Sequence, residues 1–173
     1  MRTPRLILRT YRPDDLPLYA ALNADPEVMR YLGGVPLTRA ESDDIAAWAQ
    51  QRYEREAFGL LAVERQADGR FLGMCGLHRP QWYPDDLEIG WRLAREYWGH
   101  GYATEAAAEW LGYAFTTLGA SRVISIADVP NTRSIAVMTR LGMTFEREAR
   151  LEEDGVEFDA AVYAITSEQW HGR

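Results

Sequence analysis

The spacing of apolar residues divides the chain into short strands and amphipathic helices. Leu87, Ile89, Trp91 and Leu93 alternate with polar or small residues, which predicts a strand. The apolar positions after them recur at helical intervals, which predicts a helix over residues 101–118. The two spacings predict strands at residues 5–9, 58–64, 71–78, 87–93, 122–127, 144–152 and 156–165, and helices at residues 13–23, 26–31, 38–56, 101–118 and 132–141. Helices inserted between strands, together with long hairpins, indicate an α/β fold with a mixed sheet.

Capping and turn residues mark the ends of several of these elements. Thr38 stands three residues before Glu41, the spacing of a capping box at a helix start. Asn131 is a typical N-cap residue, and Gly142 stands where a left-handed residue ends a helix. Asp154 and Gly155 are the predicted turn of the last hairpin.

The length and composition indicate one globular domain. The chain has 173 residues, of which 47% are apolar and 26% charged. We find no run of about 20 apolar residues that would span a membrane, and no secretory signal at the start. The single Cys75 excludes an intrachain disulfide and a cysteine-rich metal site. We therefore expect a cytoplasmic protein without a membrane partner.

The charge restricts the classes of partner. The formal net charge is −7, which weighs against a nucleic-acid-binding domain, because such a domain needs a basic surface. A negative protein suits a cationic small molecule or a basic peptide, although the same charge also serves solubility. All 19 basic residues are Arg. The absence of Lys excludes a lysine Schiff base and a phosphate-loop lysine.

Residues 87–107 contain the most informative pattern, in which a strand leads into a turn with two glycines and then into a helix. Glycine lets backbone N–H groups approach phosphate oxygens closely. The helix start directs its free N–H groups and positive dipole end to the same place, so we expect a diphosphate site. No Walker loop is present, and Thr104 occupies the position of the third glycine in a dinucleotide fingerprint.

At these residues the sequence resembles the acetyl-CoA site of the GNAT superfamily of N-acetyltransferases. Residues 98–106, WGHGYATEA, follow EIGW at residues 88–91, and NTRSIAVMTRLGM at residues 131–143 matches the second element of that site. TPRLILR at residues 3–9 and VYA at residues 162–164 are similar to the RimJ/RimL-type branch. The resemblance covers nearly the whole chain.

The resemblance implies a single N-acetyltransferase domain over residues 1–173. Its fold would be a mixed, mostly antiparallel sheet of about six to seven strands, flanked by about four helices. Strand 87–93 would splay from strand 122–127, and Gly90 suits a bulge that opens the splay. The pantetheine arm of acetyl-CoA, the co-substrate, would pair with the free edge of strand 87–93. The implied acetyl-CoA contacts are Ile89, Trp91, Arg92, Leu93, Trp98, Gly99, His100, Gly101, Tyr102, Ala103, Thr104 and Asn131.

The turn departs from the family pattern at one position. The family usually has Gln or Arg three residues before the first glycine, where this chain has Glu96. A carboxylate beside a diphosphate is unfavourable, so we expect that Glu96 faces solvent or that Arg95 or the helix dipole supplies the positive charge.

Direct acetyl transfer needs a neutral amine, a polarised thioester carbonyl and a proton donor for the thiolate. A backbone N–H near residues 91–93 could bind the carbonyl oxygen. Glu88 is the first candidate for the base, with Glu152, Glu153 or a bound water as alternatives. Many family members have a Tyr seven residues after the motif Asn, but this chain has Met138 there. The RimJ/RimL resemblance implies Ser134 as the donor to the sulfur.

The remaining reactive side chains carry less weight. His78, His100 and His171 lack metal-ligand spacing, so we expect no metal site. Cys75 lies in a predicted strand without a His pattern beside it, which makes a nucleophilic role improbable. Trp48 and the pair at residues 82–83 suit packing or the lining of an acceptor cleft.

The acceptor and the assembly stay open at this stage. The acceptor is an amine, either a small molecule or a peptide N-terminus, and residues 25–40, 78–86 and 150–158 would select it. A non-catalytic acyl-CoA-binding module is the alternative function, since Met138 and Glu96 depart from the family pattern. The sequence leaves a homodimer open.

Overall fold

The computed structural model describes residues 1–153 and 155–172, which form seven strands and six α-helices. The strands are β1 Leu6–Arg9, β2 Leu60–Arg65, β3 Phe71–His78, β4 Leu87–Leu93, β5 Arg122–Asp128, β6 Thr144–Glu153 and β7 Val156–Thr166. The helices are α1 Asp15–Asn23, α2 Pro26–Met29, α3 Arg39–Glu56, α4 Tyr102–Thr116, α5 Thr132–Arg140 and α6 Ser167–His171. The predicted α/β architecture is confirmed.

One mixed sheet contains all seven strands, in the order β1-β2-β3-β4-β5-β7-β6. Every neighbouring pair is antiparallel except β4 and β5, which are parallel. A parallel pair needs a crossover, and α4 supplies it on one face of the sheet. The start of α4 therefore lies beyond the carboxyl end of β4.

Apolar side chains pack on both faces of the sheet. On the α4 face, Trp110 is fully buried, and its indole N–H donates to the backbone carbonyl of Cys75 at 3.0 Å. On the other face, α1 and α3 pack residues such as Tyr19 and Ala49 against Leu60 and Ala62 of β2. The two helical layers hold the central strands rigidly, which fixes the positions of the side chains on β4.

The predicted helix ends agree with the structure. The side chain of Thr38 accepts from the backbone N–H of Glu41, and the carboxylate of Glu41 accepts from the backbone N–H of Thr38, so the capping box is complete. Asn131 caps α5 by accepting from the backbone N–H of Ser134 at 3.2 Å. Gly142 follows α5 in the left-handed conformation, with φ of 69°.

Three details differ from the sequence-based expectations. The pairing of β3 with β4 is regular through Gly90, which lies opposite Gly76, so the bulge expected at Gly90 is wrong. The splay instead begins where the short β4–β5 ladder stops. A 3-10 helix over Arg95–Tyr97 and helix α6 were not predicted. Asp154, in the predicted turn of the last hairpin, lies outside the described residues.

No helix in the described part of the chain is both long enough and apolar enough to cross a membrane.

The close approach of β2 to β3 predicts a strong effect of adding one methyl group. A Cβ at Gly76 would lie 1.9 Å from the carbonyl oxygen of Gly59, which is backbone and cannot rotate away. We expect Gly76→Ala to lower the free energy of unfolding by about 3 kcal/mol. Gly112→Ala is the control, because a Cβ there meets only Trp170, at 3.9 Å.

Because Gly112 lies inside α4, we expect its replacement by Ala to raise the free energy of unfolding by about 1 kcal/mol. Urea denaturation of both variants measures the difference. Equal stabilities for Gly76→Ala and the unmodified protein would show that β2 and β3 can separate to admit the methyl group.

Candidate active site

The central feature of the site is the divergence of β4 from β5. The two strands pair only at Leu87 with Val123 and at Glu88 with Ile124. Beyond these pairs, side chains replace the lost backbone bonds: the hydroxyl of Ser125 donates to the carbonyl of Ile89 at 3.0 Å. The predicted splay is therefore present, and its narrow end is closed by hydrogen bonds that use side chains.

Glu88 occupies the narrow end of this gap. Its side chain is buried, with the residue only 7% exposed, and Oε1 accepts from the backbone N–H of Ile126 at 3.2 Å. Burial raises the pKa of Glu88 to about 8, against the opposing hydrogen bond from Ile126, and the charge of Glu153 adds to the rise. A carboxyl with such a pKa exchanges protons near neutral pH, which suits acid–base chemistry.

A cavity of about 520 Å³ opens from the gap. Residues 30–34, His78, Trp82 and residues 156–158 contribute to its walls, so the three segments expected to select the acceptor do meet there. The cavity is lined by four acidic residues, Glu88, Asp128, Glu153 and Glu157, and by five aromatic residues, Tyr31, Trp48, Trp82, Trp91 and Phe158. It contains two guanidinium groups, from Arg30 and Arg92. Its chemistry therefore favours a cation with apolar parts.

The two alternative carboxylates on β6 lie in different places. Glu153 lines the cavity, and its charge acts on Glu88. Glu152 is exposed, and its backbone carbonyl accepts from the indole N–H of Trp82 at 2.9 Å. Of the two, only Glu153 is brought to the cavity, because neighbouring residues of a strand point to opposite faces.

The start of α5 forms the opposite side of the cavity. Asn131, Ser134 and Met138 all line it. The Asn131 side-chain oxygen is already used as the cap of α5, which leaves its amide group for other contacts. Met138 is fully buried, and a thioether cannot donate a proton. On this side of the cavity Ser134 therefore offers a proton donor, whereas Met138 does not.

The glycine turn before α4 has the geometry expected of an anion site. Gly99 and Gly101 have φ of 78° and 80°, in the left-handed region that disfavours other residues. Gly101 is the N-cap of α4, so the first N–H groups of the helix point out of the turn. A Cβ on Gly99 would meet nothing within 4 Å, which leaves this side of the turn open.

Residues from the start of the chain brace this turn. Arg5 donates from Nη1 to the carbonyl of His100 at 3.0 Å and from Nε to Glu105 at 2.6 Å. Thr3 also donates to Glu105, at 2.5 Å. Partial burial opposes the ionisation of Glu105, but the hydrogen bonds from Thr3 and Arg5 outweigh it and lower its pKa. This brace could not be predicted from the sequence, because Arg5 and Glu105 are 100 positions apart.

The implied acetyl-CoA contacts fall into two places. Trp91, Arg92 and Asn131 line the cavity, whereas the turn at residues 98–104 lies outside it, beyond the end of β4. The side chains of Ile89 and Leu93 belong to the core. Only their backbones are available to a ligand.

Trp91 is the residue of β4 whose backbone N–H and C=O groups both face the open gap. The carbonyl of Ile89 accepts from Ser125, and the carbonyl of Leu93 accepts from the indole N–H of Trp98 at 2.8 Å. Alternate residues of a strand direct their N–H and C=O groups to the same side. Trp91, between them, therefore turns its backbone groups to the gap, where β5 no longer pairs with β4.

The remaining predicted side chains are placed as follows. Arg92 donates to the side-chain oxygen of Asn23 at 2.7 Å, which ties β4 to α1. Glu96 is exposed, one of the two arrangements expected for it. Cys75 is fully buried, and burial raises the pKa of its thiol far above the usual value, so it is not a nucleophile. Among the described residues, no group of His, Cys, Asp and Glu is arranged to hold a metal ion.

A second, larger depression of about 820 Å³ lies beside α1. Three of its lining side chains belong to one ion-pair cluster: Arg9 bonds to Asp15 at 2.5 Å and to Glu64 at 2.7 Å, and Arg12 also bonds to Glu64. Arg95 and Glu96 line this depression as well. The smaller cavity at the splay, which contains Glu88 and Ser134, is the candidate active site.

The chain has counterparts among known proteins. The family model described as "Acetyltransferase (GNAT) domain" matches residues 5–144. The uncharacterized protein YkkB of Bacillus subtilis is 33% identical over 151 residues, which cover 86% of this chain and 87% of that protein. FsC-acetyl coenzyme A-N(2)-transacetylase of Aspergillus fumigatus is 32% identical over 161 residues, which cover 86% of this chain and 68% of that protein.

The fold is also similar to a solved structure. The acetyltransferase (GNAT family) from Bacillus anthracis has a TM-score of 0.85 to this chain at 24% identity, covering 97% of this chain and 98% of that one. The match over residues 5–144 and the identity to YkkB agree with the splayed sheet and the glycine turn. The chain therefore belongs to the GNAT family of acetyltransferases.

Proposed function

We propose that this protein transfers an acetyl group from acetyl-CoA directly to a primary amine, and that residues 1–173 form one N-acetyltransferase domain of the RimJ/RimL-type branch. The observation that carries the proposal is the place of Glu88. It puts a carboxyl with a pKa of about 8 at the narrow end of a gap whose β4 wall continues as the open backbone edge of Trp91. Base and co-substrate edge therefore meet in one cavity.

Two parts of the site would bind acetyl-CoA. The diphosphate would accept from the N–H groups of the turn at residues 98–104, with the dipole of α4 favouring its charge. The pantetheine arm would pair with the backbone of Trp91, as a strand pairs with an open sheet edge. A backbone N–H at residues 91–93 would then polarise the thioester carbonyl.

The residues around the cavity complete the reaction. Glu88 takes a proton from the acceptor ammonium, and the neutral amine attacks the thioester carbon to form the new N–C bond. As the C–S bond breaks, the hydroxyl of Ser134 donates a hydrogen bond to the departing sulfur. The nitrogen loses a second proton as the amide forms, and the thiolate takes up one proton, so coenzyme A leaves as the thiol. No acyl-enzyme forms, which agrees with the inert, buried Cys75.

The cavity favours a cationic acceptor. Asp128, Glu153 and Glu157 attract an ammonium group, and the aromatic side chains at residues 48, 82 and 158 contact its apolar part. The related protein of Aspergillus fumigatus is named FsC-acetyl coenzyme A-N(2)-transacetylase. Both a small amine and a peptide N-terminus fit this chemistry.

Thiol release from acetyl-CoA against a panel of small amines and N-terminal peptides tests the function. We expect release that depends on the acceptor and saturates with it. Binding of acetyl-CoA without thiol release for any amine would favour the alternative, a non-catalytic acyl-CoA-binding module. Met138, which stands where many family members have a Tyr, is consistent with that alternative.

The phosphate site predicts a selective effect at the turn. Gly101→Val adds a branched side chain over the N–H groups of the turn, and we expect the Kd for acetyl-CoA to rise about ten-fold or more, measured by isothermal titration. Gly119→Val is the matched control, because Gly119 is also left-handed, with φ of 67°, and lies in the loop after α4. The Gly119→Val variant should lose a similar amount of its free energy of unfolding and keep its affinity for acetyl-CoA. Equal affinities for both variants would exclude the turn as the phosphate site.

Ser134→Ala should lower kcat about ten-fold while the Kd for acetyl-CoA changes less than about two-fold, because the hydroxyl is needed only as the sulfur leaves. Single-turnover kinetics isolates the chemical step. Thr139→Ala removes an exposed hydroxyl from the same helix and should change neither value. An unchanged single-turnover rate for Ser134→Ala would make Ser134 only part of the helix start.

Glu88→Gln should lower kcat/KM by about 10²-fold at neutral pH, because Gln keeps the shape but cannot take the proton. The loss should shrink as the pH approaches the pKa of the acceptor, since the free amine then forms unaided. Glu148→Gln, an exposed change on β6, is the control. A pH–rate profile is the measurement.

Two other results would reassign Glu88. A change in KM alone would mean that Glu88 only attracts the cation. In that case added salt should raise the KM of the unmodified protein for the acceptor to a similar extent. No change in either constant would return the role of base to Glu152, Glu153 or a bound water.

A further inference from the structure

The side chain of His78 meets the candidate base. His78 and Glu88 lie directly opposite each other in the β3–β4 pair, so both side chains are on the same face of the sheet. His78 Nε2 is 3.3 Å from Glu88 Oε2, while Oε1 accepts from Ile126. The two oxygens of Glu88 therefore face different partners, one on each neighbouring strand.

The surroundings of the imidazole decide which nitrogen carries the proton. Nδ1 of His78 is buried and has no hydrogen-bond partner among the described residues. A proton on Nδ1 would bury an unpaired N–H group, whereas a proton on Nε2 points to Glu88. We therefore assign the proton of the neutral imidazole to Nε2.

The imidazole stays neutral throughout the pH range of catalysis. Burial and the charge of Arg52 lower the pKa of His78 to about 4. Around the pair, α3 contributes Arg52 and β6 contributes Glu153, whose charge acts on Glu88. The other charged groups of the cavity are Arg30, Arg92, Asp128 and Glu157. None of these makes His78 a cation between pH 6 and 9, so it can only donate through Nε2.

We propose that His78 is the positioning residue of Glu88: its Nε2–H donates to Oε2, aims the carboxylate at the acceptor and favours its ionised form. This proposal rests on the proposed function. The separation of 3.3 Å is slightly longer than a usual N–H···O bond, and such contacts tighten when an acceptor binds. In the reaction the ammonium proton moves to Glu88, and His78 keeps its own proton throughout.

The position of His78 also explains how it orients the carboxyl group of Glu88. The imidazole lies over the backbone of β4, since a Cβ on Gly90 would be 3.8 Å from its Cε1. Glycine at position 90 thus leaves space beside the ring. With Ile126 on the other oxygen, the carboxyl group of Glu88 is held from both sides of the gap.

The test compares His78→Leu, which removes the donor, with His78→Gln, whose side-chain amide replaces the Nε2–H. A hydrogen bond to a charged acceptor favours the ionised form, so its loss raises the pKa of Glu88. We expect His78→Leu to move the acidic limb of the kcat/KM profile upward by about one pH unit or more. At neutral pH the rate should fall about ten-fold and recover at high pH. His78→Gln should restore most of it.

A second readout is independent of catalysis. The ¹³C resonance of the Glu88 carboxyl group, assigned with Glu88→Gln, gives its titration directly in the absence of acetyl-CoA. We expect the same upward shift in His78→Leu and a smaller one in His78→Gln. His171→Leu, on the exposed end of α6, is the control and should leave the titration unchanged.

The outcomes separate the two proposals. A rate loss in His78→Leu that is equal at every pH, with an unchanged Glu88 titration, would mean that His78 only supports the fold. A downward shift would mean that protonated Glu88 donates to His78, which also overturns the proposal. If no amine is acetylated, the proposed function fails, yet the titration still decides whether His78 controls Glu88.

Discussion

The pairing of β4 with β5 for only two residues is the constraint on which the rest of the site depends. Two strands that separate inside a sheet expose backbone N–H and C=O groups, and leaving such groups unpaired in a buried place is costly. Beyond the two paired residues, the hydroxyl of Ser125 donates to the backbone carbonyl of Ile89. The carboxyl group of Glu88 accepts from the backbone N–H of Ile126. The gap is stable because these side chains close its narrow end.

The same hydrogen bonds give the site its chemistry. Glu88 must be buried to reach Ile126, and burial is the main cause of its raised pKa. The structural role of Glu88 and its proposed role as a base therefore have one origin. Because β4 continues past Glu88 to Trp91 and then to the turn before α4, one strand connects the proposed base, the proposed co-substrate edge and the proposed phosphate site.

Local sequence patterns predicted much of this arrangement. The capping box at Thr38 and the glycines at positions 99 and 101 depend on neighbours within a few residues, and the structure contains both. Helix α6 was missed, although Thr166 and Gln169 form a capping box at its start. The signal for α6 is therefore also local and was present in the sequence.

Contacts between distant residues could not be predicted in this way. The pairing of His78 with Glu88 depends on the register of β3 and β4, and composition does not specify register. The brace from Arg5 to Glu105 joins residues 100 positions apart. The burial of Glu88 depends on the path of β5, so its raised pKa was not foreseeable from β4 alone.

A crystal structure with bound coenzyme A tests the central claim most directly. The account predicts that the pantetheine arm lies in the gap between β4 and β5, paired with the backbone of Trp91, and that the diphosphate lies on the turn at residues 98–104. Coenzyme A bound in the depression beside α1, with the gap closed, would contradict it.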